Sequence, residues 1–361
     1  MQESTNRTAP PCPHTWLLLG HKAGDNTQLR ALAHALGWPF EERHLRYRPW
    51  ELLSNRLLGA TLAGIDRAAS DPLAPPWPDL VLTAGRRNEP VARWIRRQSG
   101  GRTRLVHVGR PWAPLQVFDL VVTTPQYELP QRNNVLVVDL PLHGLTRETL
   151  AAERVSCREK FRDLAPPYCS VLLGGDSGPF VFTPDKARRL AHWLNERLRA
   201  RGGSVLAAGS PRTPAAAWRA LVETLDVPAF TWGWGEAGDN PYRCLLAAAD
   251  ELVVTGESAS MLAEAAVAGR PLFIFDLGDG PGGWRHAHAW RYKPLSHRLA
   301  MRFAPRRMRR DVRRIQDALI ARGLAQRIGE ASAAAPAGSL QGKGLREAAR
   351  AVRELFREDM V

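Results

Sequence analysis

Long apolar runs, clustered cysteines and acidic side chains are all scarce in this chain. The longest apolar stretches, such as Pro271–Phe275 and Val135–Val138, are of strand length, and none approaches the ~20 residues that a membrane-spanning helix needs. The four cysteines, Cys12, Cys157, Cys169 and Cys244, are scattered, with no CxxC pair and no Cys/His group at zinc spacing. That argues against a disulfide framework or a structural zinc site and predicts a reducing compartment. The first residues, MQESTNRTAPPCPHTW, show no basic start followed by an apolar core, so no signal peptide and a cytoplasmic location are expected. Acid is short: 36 Asp+Glu face 50 Lys+Arg, a net charge of +14. An excess of this size points to an anionic partner, which could be nucleic acid, a phosphorylated small molecule or an anionic membrane surface. The basic stretches lack interleaved aromatics and carry no reader motif, so nucleic acid is not expected.

What is present is a rhythm. The chain has 361 residues, 44% of them hydrophobic, enough for two globular domains. Short runs rich in Val, Leu and Ile alternate with amphipathic stretches: TWLLLG (15–20), then apolar residues at helical spacing over Gln28–Leu36, then strand candidates at 79–85, 104–109, 119–124 and 135–140. The rhythm restarts with 170–175, 204–209, 229–233, 251–256 and 270–277. Continuous apolarity predicts strands covered on both faces, hence parallel sheets, and repeated βα units predict an α/β chain of two Rossmann-like, doubly wound domains facing a cleft. The expected divisions are 14–164, 165–300 and a basic helical C-terminal extension, 301–361. In such sheets ligands bind beyond the carboxyl ends of the strands, where this sequence places the polar, glycine-bearing loops GHKAGDN, TAGRRNEP, LGGDSG, AAGSPRTP and TGESAS.

Each loop has a plain reading and a chemical one. In LGGDSGPF (173–180), Gly174 and Gly175 either make a tight turn or let backbone amides approach an anion, with Ser177 adding a hydroxyl. The P-loop pattern GxxxxGK[ST] and a GxGxxG after the first strand are both missing, which disfavours a Walker NTPase and an NAD-dependent epimerase. In AAGSPRTP, Thr213 and Pro214 read as a helix cap and first helical residue. Arg212 is either a surface cation or a phosphate ligand. In TGESASMLAEA, Glu257, Ser258 and Ser260 surround a helix start suited to an anion, and Glu264, four residues after Ser260, could accept ribose hydroxyls. In GHKAGDNTQ, Asp25 or Asn26 could cap the helix; alternatively His21 or Asp25 is a general base and Lys22 holds an anionic acceptor. GRRNEP adds Arg86 and Arg87, with Glu89 as a further base candidate. No DxD pair stands near these loops, and no metal is expected.

With these residues in view, the chain resembles bacterial members of the elongated-mitochondria family, named after a plant mitochondrial fission protein. The resemblance rests on GHKAGDNTQ, DLVLTAGRRN, the GG turn at 174–175, SPRTP, NPY (240–242) and VTGESASMLAEA, across residues 15–276. ADELVVTGESASMLAEAAVAGRPLFIF also looks like the donor half of GT-B glycosyltransferases such as the lipid-linked peptidoglycan and Kdo transferases. That likeness implies a nucleotide-sugar donor, with diphosphate near Gly175, Ser177, Ser258 and Ser260 and ribose at Glu264; Gly174, Arg212, Thr213 and Tyr242 complete the expected donor set. The loop GHKAGD departs from the GGTGGH-type acceptor loop of the peptidoglycan enzyme. The expected function is a GT-B-type glycosyltransferase acting on an envelope lipid or polysaccharide at the cytoplasmic membrane face, with no cofactor beyond its donor. The alternatives are a nucleotide-sugar epimerase or hydrolase on the same fold, or a non-catalytic scaffold. The last is implied by the plant member's association with recruiting a dynamin-like GTPase.

The charge excess is uneven. Positions 291–361 hold 17 Lys+Arg against seven Asp+Glu. Within them Arg306, Arg307, Arg309, Arg310, Arg313 and Arg314 form a cluster suited to an anionic membrane surface, or to a solvated face or an inter-domain brace.

Overall fold

A computed structural model describes residues 12–48, 55–278, 299, 302–303, 309–330 and 342–357. The chain divides into two compact units: Met1–Thr123 with Pro130–Val138 and Leu345–Val361, and Thr124–Leu129 with Asp139–Gly344.

In the first unit, strands β1 (Thr15–Leu19), β2 (Phe40–His44), β3 (Leu80–Ala84), β4 (Arg104–Val108), β5 (Leu120–Thr123) and β6 (Val135–Val137) form one sheet in the order β2-β1-β3-β4-β5-β6. Every pairing is parallel. All five residues of β1 and of β3 are buried, as expected for strands covered on both faces. β2 has no such run; its sequence, FEERH, is half-exposed at the sheet edge. Helix α1 (Ala23–Leu36) begins earlier than its apolar spacing predicts, inside the polar segment GHKAGDN, and packs Leu29, Leu32 and Leu36 inward. Helices α2 (Asn55–Leu58) and α3 (Glu89–Gln98) follow β2 and β3.

In the second unit, β7 (Tyr168–Leu172), β8 (Ser204–Ala208), β9 (Ala229–Trp232), β10 (Glu251–Thr255), β11 (Leu272–Phe275) and β12 (Gln326–Arg327) form a parallel sheet in the order β12-β11-β10-β7-β8-β9. The helices are α4 (Arg147–Glu159), α5 (Pro184–Arg201), α6 (Ala215–Thr224), α7 (Tyr242–Ala248), α8 (Ala259–Val267) and α9 (Arg313–Ala321). Thr183 caps α5 by accepting the Lys186 amide, and the stripe Ala187, Leu190, Ala191, Leu194 and Leu198 is buried at helical spacing. Helix α9 contributes Ile315 and Leu319 to the core that also holds Leu252, Leu262 and Ile274.

Two expectations change here. The compact units meet at 138/139 rather than 164/165, because α4 packs on α7 and its arginines are fastened to the second unit. Arg154 donates to the carbonyls of Ala247 and Ala249, and Arg158 to that of Ala248, while both reach Asp250. The cysteine reading is also corrected, since Cys157 of α4 and Cys244 of α7, 87 residues apart, are joined by a disulfide. The separation hides the pair in the sequence, and the cysteine-based case for a reducing compartment lapses with it. The basic C-terminal stretch does supply helices, but α9 belongs to the second unit, and the final helix, α10 (Lys343–Glu354), packs on the first from Leu345 onward. Arg353 of α10 donates to the carbonyls of Ala35 and Leu36 at the end of α1, and Phe356 packs edge-on against Trp38.

Asp250 gives a stability prediction. Burial would raise its carboxyl, but the Tyr168 amide and Arg158, with Arg154, outweigh burial and hold it below the ordinary value. A depressed acid stabilises the fold above the ordinary carboxylate range and stops doing so as pH falls through the folded value. Asp250→Asn should cost about 2 kcal/mol at pH 7 and flatten the loss of melting temperature below pH ~4. Equal acid limbs in the two proteins would refute this.

Candidate functional site

In a doubly wound sheet the crevice lies where strand order reverses. In the second unit that point falls between β7 and β10, neighbours in the sheet but far apart in sequence. Two segments emerge there: the loop beginning Leu173-Gly174-Gly175, and Gly256–Ser258 leading into α8.

The loop is occupied from within. The Gly175 amide donates to Glu257 Oε1 at 2.6 Å, and Arg212 Nη1 stands 3.3 Å from the same oxygen. The Glu257 side chain is fully buried, and burial raises its pKa, with the Arg212 charge the largest opposing influence. A Cβ on Gly174 would collide with this carboxylate, and one on Gly175 with the Arg212 carbonyl. Both glycines therefore have internal reasons to be glycine. The sequence places Glu257 at the start of α8 but not on the glycine loop, because nothing local announces a partner 82 residues away.

Around this centre, Ser210 Oγ donates to the Gly174 carbonyl, and Thr213 Oγ1 accepts the Ser210 amide and donates to the same carbonyl. The expected cap at Thr213 is absent. Pro214 occupies the N-cap position, α6 starts at Ala215, and Thr213 braces the glycine loop instead. Ser258 sits at the N-cap position of α8 without a side-chain cap, and Ser260 lies half-buried in its first turn. Glu264, further along α8, accepts a hydrogen bond from the Tyr242 hydroxyl of α7. Burial raises both groups, Glu264 above the usual carboxylate range and Tyr242 well above the usual phenol.

The arginine cluster reaches the same unit. Arg310 Nη1 donates to Ser177 Oγ at 3.2 Å and its Nε to Gln126. Arg313 pairs with Asp276 at 3.5 Å, Arg314 with Glu128, and Arg309 donates to the Arg302 carbonyl. Arg306 and Arg307 lie outside the described residues. The sequence offered Arg310 to a membrane surface, a solvated face or a brace; its guanidinium reaches Ser177 of the glycine loop.

In the first unit the reversal lies between β1 and β3. The Asn26 side chain neither caps α1 nor faces solvent alone: it accepts the Gly20 amide at 3.0 Å and donates to the Gly20 carbonyl at 2.8 Å. Lys22 is the N-cap residue, and Asp25 lies in the first turn facing Gly85 at the end of β3. The His21 ring meets Tyr47 edge-on, Arg87 lies over Tyr47 and 3.4 Å from His21 Nδ1, and Arg86 lies over Trp112. The fold thus gathers His21, Lys22, Asp25, Arg86 and Arg87 at one end of the sheet. Glu89 is elsewhere. It is fully buried and takes the Trp112 and Ala113 amides and the Asn55 side chain, with His107 Nε2 at 3.6 Å.

Two parallel doubly wound units, the second in Rossmann order, make this an α/β chain of the GT-B class. Solved structures agree at the level of fold. UDP-GlcNAc 2-epimerase from Methanocaldococcus jannaschii has a TM-score of 0.50 at 13% identity, covering 95% of this chain and 99% of that one. The Neisseria meningitidis UDP-GlcNAc 2-epimerase gives 0.50 at 10%, covering 96% and 100%. The chain belongs to the family described as Mitochondrial fission ELM1, which it matches over residues 23–358. Mitochondrial fission protein ELM1 of Arabidopsis thaliana is 26% identical over 60% of this chain, and the chain spans 56% of that protein's length. The Rickettsia prowazekii (strain Madrid E) protein RP120 is 23% identical over 72% of this chain and 82% of its own.

Proposed function

We propose that the chain is a GT-B-type glycosyltransferase that binds a nucleoside-diphosphate sugar on its second unit and transfers the sugar to an envelope lipid or polysaccharide at the cytoplasmic membrane face. The observation that carries this reading is the spacing along α8. Ser258 marks its N-terminus, and Glu264, held by Tyr242, lies six residues on, about 9 Å along the axis. A ligand meeting both needs an anionic end for the helix N-terminus and hydroxyls for the carboxylate, as a nucleotide has. Arg212 and Arg310 flank the glycine loop and would neutralise a departing diphosphate. The Neisseria epimerase of like fold is described as bound to UDP-GlcNAc, which supports the ligand class. On the first unit we assign Lys22, Arg86 and Arg87 to the acceptor and His21 or Asp25 to proton removal; Glu89, being enclosed, is not our choice of base.

Calorimetric titration with UDP-, GDP-, ADP- and CMP-sugars tests this. One of them should bind, and Glu264→Ala should weaken it by about 10–100-fold, the range for hydrogen bonds to a charged group. Binding by none of the four would overturn the proposal. A second reading, a non-catalytic scaffold, is favoured by the family's description and by the carboxylate already seated at the glycine loop. It predicts that Asp25→Ala and Glu264→Ala leave cellular function intact.

A further inference from the structure

The groups that would grip a phosphate oxygen in the second unit are the Gly175 amide, the Arg212 guanidinium and the N-terminus of α8. The first two converge on one internal carboxylate, which stands just before the third. Glu257 Oε1 takes the amide at 2.6 Å and faces the guanidinium at 3.3 Å, two residues before α8 begins. Its Oε2 is buried with no hydrogen-bond partner among the described residues. Oε1 is well served; Oε2 is enclosed without a direct hydrogen bond, the Thr255 hydroxyl and the residue's own amide being the other donors that bear on the carboxylate. That is a poor final state for a charged group taken out of water. The same pocket of donors would suit a ligand with more acceptor oxygens.

We propose that Glu257 is a resident stand-in for a diphosphate, which on binding takes the Gly175 amide and Arg212 from it. This rests on the reading that the second unit binds a phosphorylated ligand. The carboxylate is then an intramolecular competitor: affinity is the intrinsic affinity reduced by the fraction of molecules in which Glu257 has released the loop. Removing its charge frees Arg212 for the ligand. A glutamine at 257 keeps the length and a carbonyl that accepts the Gly175 amide, so the loop stays braced while the competition weakens.

The test is titration of the full chain with inorganic pyrophosphate, comparing the native protein with Glu257→Gln and Glu257→Asp. The aspartate keeps the charge but is one methylene too short to hold both partners, which guards against a glutamine that fails to fold. Both variants should bind about tenfold more tightly than the native protein, and Arg212→Gln should abolish the gain. Equal or weaker binding by the variants, or no pyrophosphate binding by any of the proteins, overturns the inference and marks Glu257 as a brace of the loop. A parallel series with UDP, GDP, ADP and CDP separates the two ideas. Tighter pyrophosphate binding in the variants, with no further gain from any nucleoside, would leave the role of Glu257 standing and remove the nucleotide-sugar reading.

Discussion

Alanine at position 175 is expected to destabilise the second unit by about 3 kcal/mol and to abolish ligand binding at the loop. Gly175 has φ +129°, a conformation that costs a non-glycine residue about 1–3 kcal/mol. Its missing Cβ would strike the Arg212 carbonyl and the Thr213 nitrogen. Both are backbone atoms, so no rotamer relieves the clash, and a shift of either segment strains the Asp176 amide bond to the Arg212 carbonyl at 3.0 Å. At about 2–4 °C per kcal/mol for a unit of this size, the fall in melting temperature should be near 10 °C. Gly174→Ala is the matched comparison. The atoms nearest its Cβ are side-chain atoms of Glu257 and Arg212, which can move, so the cost should be clearly smaller. A Gly175→Ala protein that melts within 1–2 °C of the native one, far short of the expected shift, would show that the close approach is not there.

The second large effect concerns Glu89 and His107 in the first unit. Burial lifts the Glu89 carboxyl to about 7, against the pull of the Trp112 amide, Asn55 and the Ala113 amide. Burial likewise lowers His107 to about 3. The two act in opposite directions. A raised acid stabilises the fold fully below its unfolded value of 4.5 and stops doing so as pH rises through 7. A depressed histidine stabilises it above 6.5 and is lost as pH falls towards 3. Each contributes about 1.4 kcal/mol per pH unit in its window, so between pH 4.5 and 6.5 they offset one another and the native protein should be nearly flat. Glu89→Gln should uncover the histidine, making stability rise with pH by about 1.4 kcal/mol per unit, or ~3 kcal/mol across the window. It should also be less stable at every pH, because the new amide faces backbone donors. Urea unfolding at several pH values inside that window reads this directly, and parallel profiles for native and variant would dispose of it.

Much of the fold was legible because its strands are written as continuous apolar runs. TWLLL, LVLTA and ELVVT announce β1, β3 and β10 without help from the rest of the chain. FEERH does not, since an edge strand exposes half its residues and its pairs with Arg30 and His14 are made across the fold. At the site, the loops at the carboxyl ends of β1, β3, β7 and β10 were legible for the same reason as the strands, and Tyr242 and Glu264 prove to be partners. Glu257 and Arg310 were visible only as a helix-start acid and as one of a basic cluster, because their places on the glycine loop depend on partners 82 and 133 residues away. Thr213 shows the opposite failure. Its local sequence spells a cap, and a tertiary hydrogen bond to the Gly174 carbonyl, with a local one accepted from the Ser210 amide, overrides it.

Helix α10 closes the first unit with residues that are synthesised after the second unit. Arg353 covers the carbonyls that end α1, and Phe356 packs on Trp38, so some 200 residues of the second unit are synthesised before the first can be finished. During translation the second unit can complete itself while the first waits with the end of α1 uncovered, reversing the usual order in which the N-terminal part folds first. Removal of everything after residue 300 would likewise strip a helix from the front of the protein, not merely a tail.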